Sequence, residues 1–505
     1  MLNNLKALVV VVVLAWIAFR LARPLCLQYI SARTFARRRN VWFAVTIVAF
    51  VSPAFWMYAL FVIVLLSWAA ARDENPLALY AMVMFAVPDA RFYIPTFLIN
   101  QLFDLTHTRL LSIVILIPLM VRNLRDPSRS ADNKLRLPDW FLLGFLLLQV
   151  VLQLPYESVT AAMRRGFLLF IDIFVLLYAF GRLSDKNKVS EVVATVWLAA
   201  ALMAPIGIFE WAKGWHLYTG LSSGWGDPNV FAYIFRGGGL RSQAAVGHSL
   251  GLGYGLAVCI GFFLYLKSRS ALKSFDMGVL AVVAMGLYTT GARSAWVMAM
   301  IIVLFFVAFR PGAARKLAGT AALGAVFIAI MYFTPLKESV IDRLPLIGNT
   351  DQDTVQYRQQ LYDVSLPLIW QNPFFGDPFV TRNMESLRQG QGIIDIVNGY
   401  LFSALFYGLV GLFLQMAALT WGLSRACSVL WWARQNDSAA GLLGASLVAV
   451  FVGTLSYIAT SGFGPTTYLI AGLLLSYSRC VGRQLPTAGV PVRLATKPMR
   501  SRGMA

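Results

Sequence analysis

A chain of 505 residues has the length of about three soluble domains, yet 58% of it is hydrophobic and only 13% charged, with a mean hydropathy of +0.67. That much apolar surface excludes a soluble globular core and suits a bundle of bilayer-spanning helices. The formal net charge of +20 brings nucleic acid to mind, but the basic residues fall between the apolar runs. That pattern excludes nucleic acid and makes anionic membrane lipid their nearest partner.

In chain order, apolar runs cover about 5–19, 140–154, 166–181, 192–210, 247–266, 277–289, 294–309, 318–334, 396–420, 440–459 and 465–478. A less regular region, 41–121, has the length for two or four crossings. The pattern predicts an all-α polytopic integral membrane protein, one transmembrane domain over 1–505 with about 12–14 helices. The first run, Ala7–Phe19, is followed by Arg20 without a small-residue cleavage site and reads as an uncleaved anchor.

Of 43 basic residues, 28 lie in the intervals 20–40, 122–139, 182–190, 267–276, 310–317, 424–437 and 479–505. Those intervals share one side if the runs cross as marked, so the positive-inside rule puts them, and the basic tail 479–505, in the cytoplasm. The intervals 155–165, 210–246, 290–293, 335–395 and 460–464 then face outwards. Cys26, Cys427 and Cys480 fall in or beside cytoplasmic segments and Cys259 within a run, so no disulfide is expected. No Cys/His spacing suits zinc, and no metal or cofactor is expected.

Two outward loops are large, 210–246 and 335–395, and loops of such length are usually functional or disordered. The second is rich in aromatics and carries five basic against eight acidic residues. Within it, "DTVQYRQQLYDVSLPLIWQNPFFG" (353–376) predicts a helix capped by Asp353 and Gln356 and ended near Leu366 by Pro367. Arg358, Tyr362 and Ser365 share one face of that helix. Trp370, Phe374 and Phe375 form an aromatic corner suited to the membrane–water boundary. On the residues alone, Arg358 is either paired with Asp363 or a lipid headgroup, or reserved for a ligand.

In "LYTTGARSAW" (287–296), Arg293 sits in a tight outer turn, either snorkelling to headgroups or facing a functional cavity. "FRGGGLRSQAAVGHS" (235–249) offers a glycine-rich backbone with Arg236 and Arg241 that suits a phosphate. "DQD" (351–353) has the spacing of a metal-binding pair, though Asp353 is better used as a cap. His216 and His248 lie near helix ends, where hydrogen-bonded structure is the usual role.

Taken in order, "LRSQAAVGHSLGLGYGLA", "TTGARSAW", "YRQQLYDVSLPLIWQNPFFGDP" and "DIVNGYLFSALFYGLVG" resemble motifs of the O-antigen ligase and O-antigen polymerase superfamily. The likeness covers about 235–415. It implies a GT-C-like enzyme of the bacterial inner membrane, working at the periplasmic face on undecaprenyl-diphosphate-linked glycan as both donor and acceptor. A chain-length regulator is a candidate partner. The family's two essential outer arginines fall on Arg293 and Arg358. Arg236 and Arg241 would join them on the diphosphate, with Tyr362, Trp370, Asn398, Tyr400 and His248 contacting substrate. Ligases carry a histidine where this chain has Val397, so the expectation is a polymerase with Asp395 as the base for the acceptor hydroxyl. Two alternatives stay open: ligase-type transfer to lipid A-core or protein, and a transporter of lipid-linked sugars without chemistry.

Overall fold

The computed structural model describes residues 2–94, 103–126, 134–226, 233–236, 238–269, 273–310, 312–319, 322, 352–389 and 392–484. The protein is an all-α polytopic membrane protein. Among the described residues, seven helices are long and apolar enough to cross a bilayer: Asn3–Cys26, Phe55–Arg72, His107–Arg125, Lys186–Lys213, Ser249–Leu266, Gly399–Asn436 and Ser438–Ile458. Leu137–Gln153, Asp276–Thr289 and Arg293–Ala308 are shorter apolar helices beside them. Most of the apolar run expected at 318–334 lies outside the described residues, as do 485–505 of the basic tail and the "DQD" residue Asp351.

Lys186–Lys213 is the central helix. It is apolar on all sides and packs against Leu2–Cys26, Pro76–Val83, Ser249–Leu266 and Lys273–Thr289, the arrangement that an all-round hydrophobic helix requires. Small residues let neighbours approach closely: a Cβ on Gly286 would meet that of Ala204 at 2.8 Å.

Ion pairs tie one end of the bundle together. Arg38 pairs with Asp73 at 2.6 Å and Glu191 at 2.7 Å, Arg182 with Asp139, and Lys186 with Asp437. Arg479 donates to the Leu183 carbonyl at 2.8 Å. Apart from Asp73, these groups lie in or beside the basic intervals 20–40, 122–139, 182–190, 424–437 and 479–505, which the contacts bring together.

Three of the intervals between apolar runs are helical in whole or in part. The interval 20–40 is mostly helical, because Leu2–Cys26 and Ala32–Val51 extend past their apolar runs. The interval 424–437 is the last part of a 38-residue helix, Gly399–Asn436, since backbone hydrogen bonding continues where hydropathy falls. Val159–Leu169 likewise brings Arg164 and Arg165 of the interval 155–165 onto a helix. The region 41–121 adds a short antiparallel hairpin, Phe92–Ile94 with Phe103–Leu105.

Candidate active site

The loop helix runs Gln352–Gln371 and passes through Pro367, which was expected to end it. Its buried stripe, Leu361, Ser365 and Ile369, continues on both sides of the proline, so packing holds the last turn despite the missing hydrogen bond. With Val380, Met384, Leu387, Leu401 and Leu405 the stripe makes a small core of its own at the end of the bundle away from the ion pairs. The side chain of the expected cap, Asp353, lies outside the described residues.

The "NPFFG" corner after this helix enters the bundle as backbone. Gly408 breaks the Gly399–Asn436 helix with φ 67° and ψ −176°. At the break the N–H groups of Leu409 and Val410 donate to the carbonyls of Pro373 and Phe374 at 2.7 and 3.2 Å. The Leu405 carbonyl accepts from the Asp377 N–H at 2.8 Å. An interrupted helix at membrane depth needs such partners, because lipid offers none. The rings of Trp370 and Phe374 are 70% and 68% exposed, as residues anchored in a lipid interface would be.

A second strap, Asp395–Asn398, holds the helix from its other side. The Tyr357 hydroxyl donates to the Asp395 carbonyl at 3.0 Å and accepts from the Asp395 N–H at 3.1 Å. Asn398 Nδ2 donates to the Tyr362 hydroxyl at 2.8 Å, while its Oδ1 caps the next helix by accepting from Tyr400 and Leu401 N–H groups. Between these tyrosines stands Arg358. Among the described residues it makes no hydrogen bond or ion pair, and its Nε is buried without a partner. The pairing with Asp363 is not formed.

The turn after Lys273–Thr289 is as tight as expected: Gly291 has φ 59° and the next helix starts at Arg293. Arg241 lies across Gly291, its Nε donating to the Thr290 carbonyl at 3.0 Å, and Ser242 N–H donates to the Thr289 carbonyl at 3.1 Å. Arg241 and Arg293 thus line one cleft with Trp211, Tyr288 and Trp296.

The glycine-rich run does not present its following backbone to a ligand. The N–H groups of Gln243 and Ala244 donate to Glu210 at 3.0 and 2.8 Å, and Leu217 N–H to its other oxygen at 3.0 Å. Glu210 is fully buried and its carboxylate takes the place of an anion there; the sequence marked it only as a loop boundary. His216 Nδ1 lies 3.4 Å from the same carboxylate, a structural role. The backbone of Arg236 pairs with Gly239, and its side chain lies outside the described residues.

His248 connects the two halves. Its Nδ1 accepts from Leu250 N–H at 3.2 Å and caps the Ser249–Leu266 helix. The ring lines a cavity of about 390 Å³ shared with Asp89, Thr108, Tyr254 and Tyr457. Burial among these groups, then the Arg241 charge, hold its pKa below the ordinary histidine value, with the Asp395 carboxylate opposing them. Arg241, which shares a cleft with Arg293, and Asp395 both act on His248 through their charge, and the Asp395 backbone is bonded to Tyr357, the residue before Arg358. Tyr400 and Trp370 stand apart. The Tyr400 hydroxyl is taken by the Leu455 carbonyl at 2.7 Å. Trp370 follows Arg358 by twelve residues, about 18 Å along the helix axis.

A polytopic helical bundle, with an external helix clamped over an arginine-lined end, defines the class: an integral membrane protein with a candidate active site at one end. Residues 278–416, about a quarter of the chain, match the family model described as O-antigen ligase, which supports the likeness to the O-antigen ligase/polymerase superfamily over that segment. The match contains Arg293, Arg358, Asp395 and Asn398; Arg241 and His248 lie before it. No curated protein matches the chain. Members of this family are glycosyltransferase-like enzymes acting on lipid-linked glycans.

Proposed function

We propose that the protein is a polysaccharide polymerase of the bacterial inner membrane, joining undecaprenyl-diphosphate-linked repeat units at its periplasmic end. The observation that carries this reading is Arg358, a guanidinium without a partner among the described residues, on a helix fixed by both Tyr357 and Tyr362. An unpaired, partly desolvated charge is costly and is retained where an anion completes it. A planar guanidinium meets a diphosphate through paired hydrogen bonds and stays charged at any working pH.

In the reaction, an acceptor sugar hydroxyl oxygen bonds to the anomeric carbon of the donor. The bond from that carbon to the diphosphate oxygen breaks, and its electron pair leaves with the lipid diphosphate. Arg293 and Arg358, with Arg241 and Arg236, hold the charge that grows there. Asp395 takes the hydroxyl proton. Tyr362 and His248 line the path of the sugars, Asn398 and Tyr400 fix the strap and the start of the next helix, and Trp370 anchors the loop. No nucleotide sugar, metal or nucleic acid takes part.

The test is incubation of the purified protein with lipid-linked oligosaccharide and chelator. A ladder of products is expected. A single shifted product would mean ligase-type transfer, the reading that the description of the matched family favours, and no product would leave a transporter. Val397 packs among apolar side chains of the loop core; Val397→His, if it gains transfer to lipid A-core, would support a ligase ancestry of the site.

A further inference from the structure

We infer that the 390 Å³ cavity lined by Asp89 and His248 is the acceptor-glycan subsite, with the Asp89 carboxylate as its polar anchor; this rests on the polymerase reading. The cavity has the size of a small-ligand pocket. Its walls combine the rings of Tyr80, Phe85, Tyr254 and Phe463 with the hydroxyls of Thr108 and Ser461. Rings cover the C–H faces of a pyranose, and hydroxyls match its rim.

Asp89 decides among occupants. One of its oxygens accepts from Thr108 N–H at 2.9 Å and the other from Thr108 Oγ1 at 2.7 Å. A carboxylate accepts about four hydrogen bonds, so one site on each oxygen stays open beside the cavity. Among the described residues Asp89 forms no ion pair. An isoprenoid tail would bury that charge without a donor, and a diphosphate would be repelled by it. A neutral glycan supplies adjacent hydroxyl donors and meets neither cost. His248 on the same cavity feels both Arg241 and Asp395, so a sugar bound there adjoins the transfer centre.

The wall that carries Asp89 is held firmly. His107 binds the Tyr58 hydroxyl at 2.7 Å and the Val83 carbonyl at 3.0 Å. Arg109 pairs with Asp172 at 2.7 Å and Asp104 at 2.8 Å. Asp172, an acidic residue in the middle of an apolar run, thus serves this wall. None of these residues lies in the matched segment 278–416.

Asp89→Asn keeps an acceptor for the Thr108 N–H, as asparagine caps helices well, but loses the charge and one acceptor oxygen. The probes are the repeat-unit oligosaccharide freed from its lipid by mild acid, and undecaprenyl diphosphate alone. We expect the variant to bind the free oligosaccharide at least tenfold more weakly, to bind the lipid diphosphate as the wild type does, and to show a raised acceptor KM with kcat nearly kept. Gly462→Phe fills the same cavity from a position where an added Cβ meets no atom within 4 Å, and should act alike. Wild-type oligosaccharide affinity in both variants overturns the inference. A wild-type protein that makes no polymer yet binds the oligosaccharide through Asp89 overturns the polymerase reading and supports the glycan site.

Discussion

The backbone N–H of Leu409 donates to the carbonyl of Pro373 at 2.7 Å, so a turn of the external loop completes a broken membrane helix. The loop is therefore built into the bundle through main-chain bonds. A side chain at the break is incompatible with this joint: a Cβ on Gly408 would lie 2.2 Å from the Phe374 oxygen.

Gly408→Ala should accordingly destabilise the protein. The positive φ alone costs about 1 kcal/mol, and the clash adds to it. Thermal unfolding in detergent should show a clearly lowered midpoint, whereas Gly278→Ala, where an added Cβ meets nothing, should leave it unchanged or raised. Equal midpoints for both variants would refute the joint.

Arg358→Lys keeps the charge and loses the fork, so polymer formation should fall on the order of 10²–10³-fold, as when one preorganised donor to a growing anion is removed. Arg293→Ala should do likewise. Because Arg358 has no partner among the described residues, Arg358→Gln should not lower the thermal midpoint. Long-chain polymer from Arg358→Lys in cells would exclude the catalytic role.

Glu210→Ala leaves three buried N–H groups unsatisfied, those of Leu217, Gln243 and Ala244. The loss should reach about 3 kcal/mol or more. Since Arg241 and Ser242 adjoin these groups, activity should fall with stability. Intact folding together with full activity would show that the loop stands without this carboxylate.

Burial and then the Arg241 charge lower the pKa of His248 below the ordinary histidine value. As pH falls from 7 to 6 it should therefore protonate less than a free histidine and stay more open to diethylpyrocarbonate, which attacks neutral imidazole. Arg241→Gln removes a charge that lowers the pKa, so the pKa rises and labelling of His248 should decline at higher pH than in the wild type. Peptide mass analysis across a pH series measures both profiles, and coincident profiles would show that Arg241 does not act on this ring.

Some of the site was legible from residue types and order. Arg293 in a tight turn and Arg358 on one helix face with Tyr362 and Ser365 followed from turn chemistry and 3.6-residue spacing. The role of Glu210 was not, because a carboxylate that binds N–H groups seven and more than thirty residues away looks locally like any loop acid. Nor was the break at Gly408: in an apolar run a glycine reads as a packing position, and only the distant "NPFFG" backbone makes an interruption affordable. Pro367 likewise looked like a helix end until burial of Ser365 and Ile369 outweighed its missing donor.

By itself the amino-acid chain determined the membrane class and the alternation of its basic intervals. These depend on transfer free energies and charges of short windows, which need no knowledge of neighbours. The tertiary structure alone decided which polar groups were already satisfied: Glu210 fills the nearby anion hole, Asn398 becomes a strut, and Arg358 stays unpaired among the described residues. Satisfaction of a buried polar group depends on partners brought from far along the chain, and no local pattern encodes it.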